Sequence, residues 1–218
     1  SASVDDESEA LSVIGIVRRE VEAGTPLKEI AILYRTNAQS RALEEALVSH
    51  GKIPYQLIGS VKFYERAEVR DVLAYCKLLA NPADDLSLKR IINVPRRGVG
   101  KATVDQLETW AVERGVSMMQ ALQESGAGLG AAAASRVRGF LEIYNGLKRL
   151  ADTEVAPHVV DAIMKSADYI KYLDENYPDA EARVENVEEL LSKAHAYAEG
   201  ADDKSLRAFL EEVALVAD

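Results

Sequence analysis

Ile30-Ala31-Ile32-Leu33-Tyr34 is a nearly unbroken apolar run, and its reading decides the fold. With Lys28-Glu29 before it and the polar Arg35-Thr36-Asn37 after it, the run fits a strand buried on both faces, as in a parallel sheet. Upstream, Leu11, Ile14, Val17 and Val21 recur at helical spacing from Glu7 to Ala23, and Gly24 stops the pattern. Downstream the spacing predicts a helix from about Ala38 to Ser49. A second strand is expected from Ile53 to Ile58, ending at Gly59. Strand, helix, strand is an α/β unit.

The pattern then changes. From Glu65 to Leu79, Val69, Val72, Leu73, Cys76 and Leu79 share one helical face, and Asn81-Pro82 breaks it. No further strand is predicted. Short helices are expected over 86–93, 103–114 and 117–123, then a loop at Ser125-Gly126-Ala127-Gly128-Leu129-Gly130. Apolar stripes follow at Val137 to Leu150, Val159 to Met164, Val187 to Tyr197 and Leu206 to Val213, the last capped by Asp203. The expected fold is α/β followed by mainly α, with residues 1–82 in the first part and 83–218 in the second.

Composition excludes several classes. The 218 residues carry a net charge of −10, with ordinary hydrophobic content, and no run is long and apolar enough to span a bilayer. One cysteine, Cys76, rules out a disulfide framework and suits a reducing compartment. His50, His158 and His195 are scattered, so no metal site is expected. Ser, His and Asp nowhere cluster as a catalytic group would.

Against that acidic background, Leu86 to Val104 holds five cations and no acid: Lys89, Arg90, Arg96, Arg97 and Lys101. Within it, Asn93-Val94-Pro95-Arg96-Arg97-Gly98-Val99-Gly100-Lys101-Ala102-Thr103 joins two predicted helices through a Gly-apolar-Gly turn. That is the layout of a helix-hairpin-helix. Its glycines permit a tight turn and close approach of a ligand, and the amides opening the Thr103 helix suit a phosphate. Arg96, Arg97 and Lys101 add charge without reading bases. An ordinary interhelical turn with solvated cations is the plainer alternative. Gly98-Val99-Gly100-Lys101 is no P-loop, because Pro95 and Ala102 stand where that motif needs glycine and Ser or Thr.

Tyr34, Arg35, Asn37, Gln39 and Arg41 fall at the carboxyl end of the predicted strand, where open α/β sheets place ligands. Asn37 as a helix cap and Arg35 in a surface ion pair is the competing reading. Phe63 and Tyr64, beside Lys62, could stack on bases or pack at a helix start. Trp110 reads as packing.

Several segments together resemble the UvrD/PcrA/Rep helicase family. They are Ile32 to Arg41, Ile53-Pro54-Tyr55, Lys62 to Asp71, Ala80 to Asp85, Asn93 to Gly100, Arg183-Val184-Glu185-Asn186-Val187 and Asp202 to Leu206. They occur in order over nearly the whole chain. The resemblance implies that residues 1–82 are the first half of a RecA-like motor subdomain, 2A, with part of a parallel sheet. Residues 83–218 would be the helical 2B subdomain.

Family members are ATP-driven, three-prime to five-prime DNA translocases of repair and replication restart. By this resemblance Arg35 and Asn37 contact the tracking single strand, and Gly98, Val99 and Gly100 grip duplex backbone. Arg96, Arg97, Lys101 and Thr103 join that site, with Tyr34, Arg41, Lys62, Phe63 and Tyr64 as further contacts. ATP and Mg belong to the full-length enzyme. Its P-loop and Mg-binding acids match nothing here, so no ATP hydrolysis and no bound cofactor are expected of this chain alone.

The implied partners are DNA, single-stranded and duplex, the remaining helicase subdomains, and repair or transcription proteins. The implied location is the bacterial cytoplasm, at the nucleoid. A regulatory or protein-interaction role for the acidic helical domain is the competing reading.

Overall fold

A computed structural model describes residues 2–34, 37–57, 63–124 and 128–217. The chain divides into two compact units, Ser1–Phe63 and Tyr64–Asp218. The first holds α1 (Ala2–Glu22) and α2 (Asn37–Ala46), which pack on each other. Their shared core is small: Ala10, Ile14, Ala46 and Leu47, with Ala42, Leu43 and Ile53 against it. Val17 is buried too, whereas Leu11 and Val21, expected on the same face, are exposed. The buried stripe of α1 is therefore 10, 14 and 17.

The expected α/β unit is not present: no strand or sheet occurs among the described residues. Ile30 has extended backbone, at φ −99° and ψ 125°, but residues 31–34 form no ladder. Leu33, expected to be buried on both faces, is 93% exposed. Residues 53–57 likewise form no ladder, and Ile58, Gly59 and the remaining expected strand end lie outside the described residues. A parallel strand needs hydrogen-bonded neighbours and covered faces, and an apolar run alone supplies neither. After α2 the chain makes a π-turn at Leu47–Gly51, and Lys52 closes it in the left-handed region at φ 46°. An i→i+5 turn accommodates one residue more than an α-turn.

The second unit is built around α3 (Ala67–Ala80). This helix is buried on nearly every side, from Glu68 and Val69 to Leu78 and Leu79. Such a helix must be covered all round. The cover comes from α4 (Asp85–Ile91), α7 (Ala131–Ala151), α8 (Ala156–Ser166), α10 (Ala180–Gly200) and α11 (Leu206–Ala217). Three further helices complete the unit: α5 (Lys101–Arg114), α6 (Met118–Gln123) and α9 (Tyr169–Asn176). The α9 helix has no counterpart among the sequence expectations. Of the Ser125 to Gly130 loop, residues 125–127 lie outside the described residues.

Two of the segments that carried the resemblance meet at the start of α3. Asn186 on α10 accepts from Arg66 and donates to Glu68 Oε1, while Arg183 Nη1 donates to Glu68 Oε2 at 2.8 Å. Alongside, Asp71 accepts from Tyr169 Oη at 2.8 Å and from Arg90 Nε at 2.7 Å. Burial raises the Asp71 carboxyl above its ordinary range, against the opposing pull of Tyr169 and Arg90. Glu68, Asp71, Arg66 and Asn186 are all buried, so each needs the partners it has.

A third segment is also structural. Asp84 caps α4 by accepting from the Ser87 amide at 3.0 Å, and Asp85 accepts from the Met118 amide at the start of α6. At the other end of the unit, Asp203 accepts from the Ser205 amide, while Ser205 Oγ accepts from the Ala208 amide in the first turn of α11. Ser205 thus holds the helical position expected of Asp203.

Candidate nucleic-acid interface

Residues 92–100 connect α4 to α5, and one side chain organises the connection. Asn93 Oδ1 accepts from the backbone amides of Arg97 at 2.8 Å and Val99 at 3.1 Å. Asparagine folds back on its own backbone in this way more readily than most residues. The Val94–Pro95 bond is cis. Tyr75 of α3 donates from its hydroxyl to the Val94 carbonyl at 2.7 Å, and Val99 is buried as the apolar anchor of the turn.

The two glycines differ. Gly98 sits at φ +73°, a region costly for any other residue, and a Cβ there would press on Arg136 at 3.2 Å. Gly100 is extended, at φ −81° and ψ 169°, and precedes α5 with no side-chain cap. A Cβ at Gly100 would meet nothing within 4 Å. The α5 start thus has open space at Gly100 and no side-chain cap, with the positive end of the helix dipole behind it.

The five cations of this region do not share one role. Arg97 turns inward. Its Nη1 donates to the carbonyls of Ile91 and Pro95, its Nη2 donates to Tyr75 Oη, and the guanidinium lies 5.7 Å from the Phe140 ring centre. Arg90 pairs with Asp71 and Lys89 with Glu108. Lys101 is exposed and paired one turn along with Asp105 at 2.8 Å. Arg96 is exposed and makes no ion pair among the described residues. Thr103 is half-buried in the first turn of α5. One cation arrives from far along the chain: Arg136 of α7 donates to the Gly98 carbonyl at 3.2 Å.

The other expected contacts are spread differently. Tyr34 is half-buried and lines a cleft of about 80 Å³ with Ile32, Leu33, Gln39 and Leu43. Asn37 begins α2, but its side chain, like that of Arg41, is not described, and Arg35 and Lys62 lie outside the described residues. Phe63 is buried at 4% exposure and Tyr64 half-buried. Trp110 is half-buried with Arg114 stacked 4.0 Å from its ring centre. A second cleft, near Lys148 and Arg207, measures about 160 Å³. Both fall below the roughly 300–1,000 Å³ of small-molecule sites.

Sequence reasoning missed Asn93 and Arg136 as members of this site. Asn93 carried a signal, since asparagine in a turn is a recognised folding device. Arg136 carried none.

A helical module with a glycine turn braced against its central helix matches a known family. The family model for the UvrD-like helicase C-terminal domain covers residues 2–218, and the chain belongs to that family. Among individual proteins, it is 40% identical over 194 residues to the ATP-dependent DNA helicase PcrA of Bacillus subtilis, covering 88% of this chain and 26% of that protein. It is 36% identical over 220 residues to the PcrA helicases of Staphylococcus epidermidis and Staphylococcus aureus, covering 99% of this chain and 30% of each. The chain thus spans less than a third of the length of these relatives. No helix among the described residues is long and apolar enough to cross a membrane.

Proposed function

We propose that this chain is the DNA-engaging part of an ATP-dependent, three-prime to five-prime helicase of repair and replication restart. Residues 1–82 correspond to half of subdomain 2A and residues 83–218 to subdomain 2B, with 85–114 as its helix-hairpin-helix. The hairpin grips duplex backbone through Gly98, Gly100 and Thr103, with Val99 anchoring the turn, Arg96 and Lys101 supplying charge and Arg97 setting the shape of the turn. Arg35 and Asn37 hold the single strand, aided by Tyr34, Arg41, Lys62 and Tyr64, with Phe63 packed inside. One observation carries the duplex reading: the open space over Gly100 at the uncapped start of α5, flanked by Arg96 and Lys101.

Among the described residues no group of three or more His, Cys, Asp or Glu could hold a metal ion. We assign ATP and Mg to the rest of the enzyme. On this reading the remaining helicase subdomains bind both, and the assembled enzyme works at the bacterial nucleoid.

The test is a salt series of duplex binding by the whole chain, read by fluorescence anisotropy on two unrelated sequences. If about four phosphates are neutralised, affinity should fall on the order of a hundredfold between 50 and 200 mM salt, equally for both sequences. Gly100→Val should weaken binding about tenfold or more at low salt with helicity retained, because its extended backbone suits a β-branched residue and the Cβ enters open space. Binding unchanged in Gly100→Val and Arg96→Ala would refute the reading.

A further inference from the structure

The duplex grip as read from the hairpin uses only residues 93–103. The fold adds a wall to it. Helix α7 presents Arg136 and Phe140, one turn apart, to opposite parts of the same connection: Arg136 to the Gly98 carbonyl and Phe140 to the Arg97 guanidinium. Arg136 is exposed, and no carboxylate pairs with it among the described residues. Lys89, Arg90 and Lys101 each have an acidic partner, which offsets much of their charge. Among the described residues Arg96, Arg97 and Arg136 have none, and of these Arg97 is turned inward onto the Ile91 and Pro95 carbonyls and the Tyr75 hydroxyl.

We propose that Arg136 is a second-helix ligand for the DNA backbone, taking a phosphate next to the one held over Gly100. The inference rests on the duplex-binding reading of the hairpin. A guanidinium has five N–H donors in a planar fork, and the Gly98 carbonyl takes one. That bond fixes the side chain at the turn before any ligand arrives, so little rotamer freedom is lost on binding. The remaining donors are available to a phosphodiester oxygen as charge-assisted hydrogen bonds. The bond to Gly98 also makes Arg136 a brace for the turn, so the two roles must be separated by measurement.

Salt dependence separates them. The same anisotropy series is run with the whole chain carrying Arg136→Ala, Arg136→Lys or Arg138→Ala, the last removing an equal charge two residues along α7. If Arg136 neutralises a phosphate, Arg136→Ala shallows the slope of log affinity against log salt by about 0.9. Its affinity loss between 50 and 200 mM then shrinks by a factor of about three to four. Arg136→Lys keeps the slope, and Arg138→Ala behaves as the unaltered chain.

A weaker Arg136→Ala with the original slope would make Arg136 a brace only and overturn the proposal. An equal change in Arg138→Ala would reduce it to a general charge effect and overturn it as well. In both cases a damaged Gly100→Val leaves the hairpin reading standing. Absence of salt-dependent duplex binding by the unaltered chain removes both.

Discussion

Oδ1 of Asn93 shapes the candidate site by accepting from two backbone amides, and Arg97 completes the shape by donating to two backbone carbonyls. Neither side chain need touch a ligand to matter, since a mis-set turn would move Gly100 and the amides behind it. Burial decides residue chemistry just as firmly at Cys76, whose thiol is fully enclosed in α3 and pushed up to about 12 by desolvation. In the unfolded chain the same thiol ionises near its ordinary value of 9.0.

The proton is therefore held more tightly in the folded state. Folded stability from this group is complete below pH 9 and is lost as pH rises towards 12. At pH 8 iodoacetamide should leave Cys76 unmodified in the folded chain and alkylate it once urea unfolds the chain, with labelling following the loss of helicity. Prompt labelling without denaturant would show that α3 is not enclosed as described. The signal for an inert cysteine was present in the sequence, because Cys76 shares the apolar face of Val69, Val72 and Leu79.

At the scale of the element, helices were legible and strands were not. The stripes at Val137 to Leu150 and Val187 to Tyr197 became α7 and α10 because 3.6-residue spacing is a property of the segment itself. A strand depends on what lies beside it, and residues 30–34 form no ladder among the described residues. Charge was legible only in part for a related reason. The acid-free window from Leu86 to Val104 is real in sequence, yet the fold brings Asp71, Asp105 and Glu108 to three of its five cations. Arg136 reaches the turn across 38 positions, which no local pattern reports.

The same long reach ties α3 to α10 through Asn186. Replacing Asn186 with Ala removes the amide that links Arg66 and Glu68, both buried. Losing hydrogen bonds to charged groups costs about 1.5–3 kcal/mol. Urea unfolding should show that loss as a lower midpoint with an unchanged slope. Equal stability would mean that water replaces the amide and that the network is not a staple.

For the whole molecule the consequential quantity is how unevenly apolar burial is divided. Among the described residues, helices α1 and α2 share a core of small and medium side chains that includes Ala10 and Ala46. The second unit encloses Tyr75, Tyr169, Phe140, Phe209, Leu78, Leu79, Leu88, Leu107 and more, each nearly inaccessible. Full burial of one large apolar side chain contributes roughly 1.5–3 kcal/mol, so the two cores differ by many such contributions. Local opening follows this distribution, because sparse apolar contact lowers the free energy of exposing a segment.

Amide hydrogen exchange at pH 7, followed by mass spectrometry, should therefore rank the helices. Protection over Ala10–Val17 and Leu43–Leu47 should be lower by about a hundredfold or more than over Val69–Leu79 and Val187–Ala194. Because α3 carries Tyr75 and Asp71, which hold the 93–100 turn through Val94, Arg97 and Arg90, the turn should open only as often as α3 does. Equal protection in the two sets of helices would contradict the division of the core. Fast exchange at the Val99 amide beside slow exchange in α3 would detach the candidate interface from the helix that frames it.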